Sequence, residues 1–419
     1  MITLPHHVEL LSDRWLEKAR EYLEREIAAR KERLGGRAFS VSERLTDAPP
    51  HLKLPHDVAQ WSFRYDGEKL QVTREFDSGA DVVVEGDYQI ALLAAQAVGA
   101  LAPDVMPHAL REIAHGYGKD VIRSRGMLKD PAARELVGLL HDHMARRTVE
   151  NPDLAHRAKR LGIAGKVREV EEHGYTVLER AISPEFADEL RQATLRALLP
   201  HNTFTLQWML YQGAEFERIA QHAQLMTLID ASLGRGAVIG SLSSIRRGPG
   251  PGQIPLHTDY SMVPDPYPEF ALTGVGVWAF EDWSVASGPT WIIPGSQRMR
   301  RGPRPTDSKE GGVPVEMPKG SVVYFTHGVW HWQGDRTEPG ERVTLHSHFN
   351  RGILRSLEPK RVDVQMMHRN APRLGEMLGE DDWFDKLGPN GRDQLRAAYM
   401  ARLQSFTDQK KRELLAEAG

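Results

Sequence analysis

PLHTDY at residues 255–260 and KGSVVYFTHGVWHWQGDRTEPGERVTLHSHF at residues 319–349 are the stretches that decide how this chain folds. In an extended strand successive side chains alternate between faces, so His257 and Asp259, two apart, project to one side and can share an ion. Taken alone the pair is ordinary, because a surface histidine beside a solvated carboxylate is spelled the same way. The second stretch adds a strand-like run leading to His331, with Arg342 eleven residues beyond it. Between the two lies SGPTWIIPGSQ, residues 287–297. From Ser241 to Phe349 short apolar runs are broken by Gly and Pro, which predicts an antiparallel, β-rich core.

Composition narrows the chemistry. The 419 residues include no cysteine, so disulfides, thiolate zinc sites, iron–sulfur clusters and cysteine nucleophiles are excluded, and any metal must be held by imidazole and carboxylate. Hydrophobic residues at 40% and charged residues at 26% are those of an ordinary globular protein. A formal net charge of -3 gives no global drive toward nucleic acid or an anionic membrane. No run approaches the roughly 18 apolar residues that a membrane span needs, and the N-terminus lacks a basic stretch leading into an apolar one. A cytoplasmic enzyme with no nucleic-acid partner and no membrane span is therefore expected. The length exceeds that of a single core and predicts more than one domain.

The ordered set of His-x-Asp, a PGS turn, a strand, a distal His and a following Arg resembles the phytanoyl-CoA dioxygenase family over about residues 166–355. HGYTVLERAISPEFADELR, residues 173–191, is similar to that family's opening strand and helix. The resemblance implies an α+β chain whose core is a double-stranded β-helix, a cupin-like jelly roll, with flanking helices. It also implies an Fe(II)- and 2-oxoglutarate-dependent dioxygenase in which His257, Asp259 and His331 hold the metal and Arg342 binds the far carboxylate of 2-oxoglutarate. Two imidazoles and one carboxylate leave about three positions open on an octahedral ion, the arrangement of non-haem iron oxygenases. A guanidinium fork makes two parallel hydrogen bonds to a carboxylate, which a lysine cannot reproduce. The implied reaction consumes O2, decarboxylates 2-oxoglutarate to succinate and CO2, and hydroxylates or otherwise oxidises a substrate carbon. Related halogenases replace the acidic ligand by Ala or Gly, so Asp259 argues for oxygenation.

Further residues take weaker roles from the same resemblance. Gln253, Thr290 and Trp278 stand where family members contact the cosubstrate or line its pocket; against this, Gln253 reads as a solvent-facing loop residue and Trp278 as a core aromatic. His327 competes with His331, and the family spacing to Arg342 selects His331, leaving His327 behind the ligands or simply packed. His346 and His348 share one strand face and either line the barrel interior or are ordinary strand residues. YSMVPDPYPEF, residues 260–270, is either a stiff lid or a structural loop. The chain departs from the family pattern at Gln297, where PGSH is usual, and at Ser321, where Gly-Asp often precedes the strand. Both leave the substrate open. Arg298, Arg300, Arg301 and Arg304 in QRMRRGPR, with Arg246 and Arg247 upstream, suit an anionic small molecule such as a carboxylate or coenzyme A ester, or form a solvated basic loop. Two other readings remain: a lipid carrier with a non-catalytic barrel, and a metal-dependent cupin enzyme that does not use 2-oxoglutarate. A homo-oligomer is compatible with all three.

Upstream the pattern changes. Trp15, Leu16, Ala19, Tyr22, Leu23 and Ile27 recur at helical spacing between a Ser12 cap and the Gly35-Gly36 stop. Trp61, Phe63 and Tyr65, an Asp66-Gly67 turn, then Leu70 and Val72 predict a β-hairpin; Val82 to Val84 predict a third strand, and Tyr88 to Val98 a buried helix. WSFRYDGEKLQV (61–72) followed by GADVVVEGDYQIALLAA (79–95) resembles the sterol carrier protein type 2 fold over about residues 10–145. Such a domain implies a lipid-like or acyl ligand. The polar, proline-containing TVENPDLAHR (148–157) marks a boundary, giving a sterol-carrier-like domain at 1–150 and a jelly-roll domain with C-terminal helices at 165–419. Ser183 caps an amphipathic helix there, and the charged tail from Asp382 has helical spacing.

Overall fold

The computed structural model describes residues 7–99, 103–260, 262–356 and 363–380. The chain divides into two compact units: Met1–Leu110 with Asp120–Asp153 and Val362–Gly419, and Arg111–Lys119 with Leu154–Arg361. The helical pattern expected from Asp382 onward lies outside the described residues. The short helices Val364–His368 and Pro372–Met377, expected to accompany the jelly roll, group instead with the first unit.

In the first unit Ser12 accepts the Trp15 backbone N–H at 3.2 Å, satisfying one of the donors that a helix start leaves unpaired. Helix Asp13–Ala29 follows and buries all six apolar residues of the predicted stripe. Five strands, β1 (Phe39–Thr46), β2 (Ala59–Tyr65), β3 (Leu70–Thr73), β4 (Val82–Asp87) and β5 (Ile122–Gly126), form one sheet in the order β3-β2-β1-β4-β5. The β2–β3 hairpin turns where expected. Asp66 Oδ1 accepts the N–H groups of Glu68 (2.9 Å) and Lys69 (2.8 Å), and Gly67 sits at φ +105 with its Cα so near Gly36 O that a Cβ would be 2.2 Å from it.

The central strand β1 is the element the sequence hides. It pairs antiparallel with β2 and parallel with β4, yet reads FSVSERLT. Its buried Ser40 and Ser42 are tolerated because each hydroxyl has a partner, Asp81 Oδ2 at 2.9 Å and Trp61 O at 3.3 Å. Trp15, Trp61, Phe63, Phe39 and Tyr65 pack ring against ring beneath this sheet.

The second unit holds two antiparallel sheets. Strands β6 (Tyr175–Leu178), β7 (Thr205–Leu206), β8 (Val238–Arg247), β9 (Thr273–Ala279), β12 (Val322–Thr326) and β14 (Arg342–Asn350) make the larger one, ordered β6-β12-β9-β14-β8-β7; β10 (Thr290–Ile292), β11 (Val313–Pro314) and β13 (His331–Gln333) make the smaller, ordered β11-β10-β13. One apolar cluster draws on both, with Val275, Val277, Val323 and Phe325 from the larger sheet and Ile292 from the smaller. The β-rich expectation for residues 241–349 thus takes the form of two facing sheets. Outside the larger sheet lie helices Pro184–Leu198 and Ala223–Leu233, the first started by Ser183, whose hydroxyl accepts the Phe186 N–H at 3.2 Å with Pro184 at its first position.

Strand β14 sorts its side chains by parity. Arg342, Thr344, His346 and His348 fall on one face and Val343, Leu345, Ser347 and Phe349 on the other. Directly opposed residues share a face, so the pairs Thr344–Ala279, His346–Val277 and His348–Val275 put the polar row on the same side as the apolar cluster between the sheets.

Candidate metal centre

Backbone pairing brings the two quoted stretches together. His257 and His331 exchange both backbone hydrogen bonds at 3.0 Å, and the Asp259 N–H donates to His327 O at 3.1 Å. The pairing therefore sets His257 beside His331 and Asp259 beside His327. Glycine is needed just upstream, because a Cβ at Gly252 would lie 2.0 Å from Gln333 O.

Both ligand-candidate imidazoles are aimed in the same way. His257 Nδ1 is 2.9 Å from Pro255 O and His331 Nδ1 is 3.0 Å from Val329 O. A carbonyl can only accept, so each ring carries its proton on Nδ1 and turns the Nε2 lone pair toward the common space. The His257 and His331 ring centroids are 4.1 Å apart. Asp259 Oδ1 lies 3.4 Å from His257 Nε2 and 3.8 Å from His331 Nε2. One donor atom from each of His257, Asp259 and His331 lies within 4.8 Å of the others, the only such group of three or more His, Cys, Asp or Glu among the described residues. Burial alone would raise the Asp259 carboxyl, but the imidazoles of His327, His331, His257 and His348 outweigh it and hold that group well below the ordinary carboxylate range. Burial pulls His331 down, whereas Asp259 overcomes burial at His257 and raises it. An anionic carboxylate and neutral imidazoles are the protonation states in which these residues bind a cation.

Arg342 opens β14 and is buried. Its Nη1 donates to Gly288 O and its guanidinium lies over the Trp283 ring, 4.8 Å from the centroid. Among the described residues it has no ion-paired carboxylate. Burial lowers it to about 10, with Arg247 and Arg336 adding repulsion that Glu281 only partly offsets. Arg247 and Arg336 are themselves tied to carbonyls, Gly334 O at 2.7 Å and Ser287 O at 3.1 Å. A buried guanidinium in a positive field has the charge and the N–H donors to accept an anion as partner. Trp283 was not singled out from the sequence, and nothing in its spacing to Arg342, 59 residues away, could have signalled the stack.

The remaining candidates fall in different places. Thr290 pairs with Gln333 and Ile292 with His331, so Thr290 shares the face of β10 that looks toward the His331 ring. Gln253 is exposed, and its backbone N–H donates to Gln333 Oε1 at 2.9 Å. Trp278 is on the wrong face for a cosubstrate contact. It pairs with Leu345, donates its indole N–H to Ser347 Oγ at 3.3 Å and meets His222 edge-on at 5.2 Å, packing on the helix side of the sheet. This is the core-aromatic alternative for Trp278; Val277, its neighbour, faces inward with His346.

His346 and His348 lie on the inward face, where burial pulls them to about 3 and about 4. The 260–270 loop is anchored by buried Tyr260 and Tyr267, whose rings meet edge-on at 5.1 Å. Tyr260 OH accepts the Leu272 N–H at 2.7 Å, and the Tyr267 N–H donates to Arg300 O at 2.7 Å. Of the basic run, Arg300 pairs with Glu269 (3.0 Å) and Arg301 with Asp307 (2.6 Å), leaving Arg298 and Arg304 exposed.

Comparison with known proteins gives a consistent family signal. Residues 170–342 match the family described as phytanoyl-CoA dioxygenase (PhyH). Among curated relatives, a dioxygenase of Alternaria alternata is 30% identical over 162 residues and one of Aspergillus fumigatus 25% identical over 158, each alignment covering 36% of this chain and 51% of the relative. An uncharacterised protein of Mycobacterium tuberculosis is 26% identical over 142 residues, 33% of this chain and 49% of the relative. The chain spans about half the length of the curated relatives it matches. Similar solved structures include HygX from Streptomyces hygroscopicus with nickel and 2-oxoglutarate bound, at 13% identity and TM-score 0.41, covering 46% of this chain and 89% of that one. EctD from S. alaskensis with 2-oxoglutarate and 5-hydroxyectoine is 20% identical at TM-score 0.40, covering 45% and 75%. Among the described residues no helix is long and apolar enough to cross a membrane.

Proposed function

We propose that this chain is a dioxygenase that uses iron(II) and 2-oxoglutarate to hydroxylate a carbon of a small organic substrate. The observation that carries the reading is the convergence of His257 Nε2, Asp259 Oδ1 and His331 Nε2, with both rings turned inward by backbone carbonyls. The donor set suits a hard-to-borderline divalent ion and supplies three of the roughly six ligand atoms that such an ion takes. Iron(II), when bound, would supply the centre at which O2 and 2-oxoglutarate react, the latter leaving as succinate and CO2.

The chain's own residues then have separable tasks. His257, Asp259 and His331 hold the ion. Arg342 receives the distal carboxylate of 2-oxoglutarate, its planar guanidinium oriented by the stack on Trp283 so that its fork can make two parallel hydrogen bonds. Phe325, whose ring centroid is 4.7 Å from that of His331, walls the ligand off from water together with Val275 and Val277. The family match over residues 170–342 and the dioxygenase relatives support the same assignment. The exposed Arg298 and Arg304 favour a substrate bearing a negative group. In the first unit, the resemblance to sterol carrier proteins supports a role in holding a lipid-like ligand; failure of the full chain to bind any acyl or sterol probe would end that role.

The test is reconstitution of the purified chain with iron(II) under nitrogen, followed by O2 and 2-oxoglutarate. Succinate should form in wild type and not in Asp259→Ala. A metal-dependent enzyme that makes no succinate and whose ferrous spectrum ignores 2-oxoglutarate would instead be a cupin of another chemistry.

A further inference from the structure

The two oxygens of Asp259 have different neighbours. Oδ1 faces His257 Nε2 at 3.4 Å and His331 Nε2 at 3.8 Å, whereas Oδ2 lies 3.3 Å from His327 Nε2. His327 is buried and stands outside the group of three whose donor atoms converge. On the far side of its ring, Nδ1 is 2.6 Å from Thr273 Oγ1. A proton on Nδ1 would leave the Nε2 lone pair pointed at a carboxylate oxygen, which is repulsive. With the Thr273 hydroxyl donating to Nδ1, the ring proton sits on Nε2, the nitrogen that lies 3.3 Å from Oδ2.

We infer that His327 is a positioning residue for Asp259: it holds Oδ2 so that Oδ1 alone faces the imidazoles, and Thr273 fixes the tautomer that lets it do so. The inference rests on reading His257, Asp259 and His331 as a metal site. A carboxylate free to swing would bind an ion through both oxygens and take up a coordination position that the cosubstrates need. The neighbouring His348 Nδ1, 3.4 Å from His327 Nε2, is within reach to accept from the same N–H. The backbone of His327 is committed separately. Its carbonyl accepts from the Asp259 N–H and its own N–H donates to Thr273 O, both at 3.1 Å. Replacing the side chain therefore leaves the strand pairing in place and isolates the ring.

The experiment is titration of the full-length chain with Co(II) under nitrogen, followed by calorimetry and by the visible absorption of the bound ion. His327→Leu is expected to weaken binding by about 10- to 100-fold and to change the absorption bands, the usual consequence of losing a ligand's outer partner. His327→Gln keeps an N–H at similar reach and should restore nearly wild-type affinity. Thr273→Val keeps the shape but frees the tautomer, and should weaken binding by a smaller factor; if His327→Leu fails to fold by circular dichroism, Thr273→Val and His327→Gln decide. Asp259→Ala separates the two claims. If it loses Co(II) while His327→Leu and Thr273→Val bind like wild type, the positioning role is overturned and the metal site stands. If His327→Gln is as weak as His327→Leu, the hydrogen bond is not what matters and the inference also fails. If Asp259→Ala binds like wild type, the metal site itself is misread.

Discussion

The interiors of the two units bury different things. Beneath the first sheet, aromatic rings fill the space, and the polar atoms among them are matched locally: the Trp15 indole to Thr148 Oγ1 at 3.2 Å, the Trp61 indole to Glu43 at 2.9 Å, the Tyr88 hydroxyl to Leu10 O at 2.7 Å. In the second unit, beside an apolar cluster of Val275, Val277, Val323 and Phe325, one atom each of His257, Asp259 and His331 lies within 4.8 Å of the others. A hydrogen bond completed inside the fold contributes to stability, while a buried polar cluster costs stability unless it is paired. The first interior holds the chain together; on the proposed reading the second also holds a cation.

A pair of alanine substitutions breaks that comparison if it is wrong. His331→Ala should abolish succinate formation, a loss of at least about 100-fold, with little change in chemical denaturation of the apoprotein. Phe63→Ala should do the reverse. Phe63 is fully buried in the aromatic core, so its truncation should cost about 3–5 kcal/mol of stability by urea titration. If His331→Ala destabilised the fold as much as Phe63→Ala, the site would be a structural core after all.

Arg342→Lys sharpens the contrast within the second unit. The charge is kept, but the planar fork and its stack on Trp283 are lost. The KM for 2-oxoglutarate should rise by roughly 10- to 100-fold, the equivalent of about 1.5–3 kcal/mol for hydrogen bonds to a charged group, with kcat less affected. An unchanged KM would remove Arg342 from the cosubstrate site.

What could be read in advance follows the same division. The ligand candidates were legible because His257 and Asp259 stand two apart and His331 and Arg342 keep the family's interval, although residues 255–260 form no strand and His257 makes only an isolated bridge to His331. The capped helices at Ser12 and Ser183 and the Asp66-Gly67 turn were legible because their chemistry is local. Strand β1 was not, since its serines are acceptable only through Asp81 and Trp61, partners 41 and 19 residues away. Trp278 reads either as a pocket residue or as a core aromatic, and what separates the two is its register with Leu345, a property of pairing that a single strand's spelling does not contain. The stack of Arg342 on Trp283 and the contact of Thr273 with His327 join residues 59 and 54 apart, and no spacing rule reaches so far.

The smallest expected effect concerns acid. His222 starts helix Ala223–Leu233: its Nδ1 accepts the Leu225 N–H and its Nε2 donates to Ala181 O at 3.0 Å, so the ring is neutral where it sits. Burial lowers it from 6.5 to about 4. Between those values the unfolded chain takes up a proton that the folded chain refuses. Stability from this group is therefore complete above about pH 6.5, falls as the pH drops toward 4 at no more than about 1.4 kcal/mol per pH unit, and falls no further below that. His222→Asn keeps a capping acceptor and cannot titrate, so the acid limb of the second unit's urea stability between pH 6.5 and 4 should become shallower, the rest belonging to His346 and His348, lowered to about 3 and about 4 in the same unit. His143 in the first unit is also lowered to about 4, mainly by burial, and this variant leaves it untouched. A change in acid sensitivity confined to the second unit's transition is what separates His222 from a general effect of net charge, and an unaltered limb would assign the acid response to other groups.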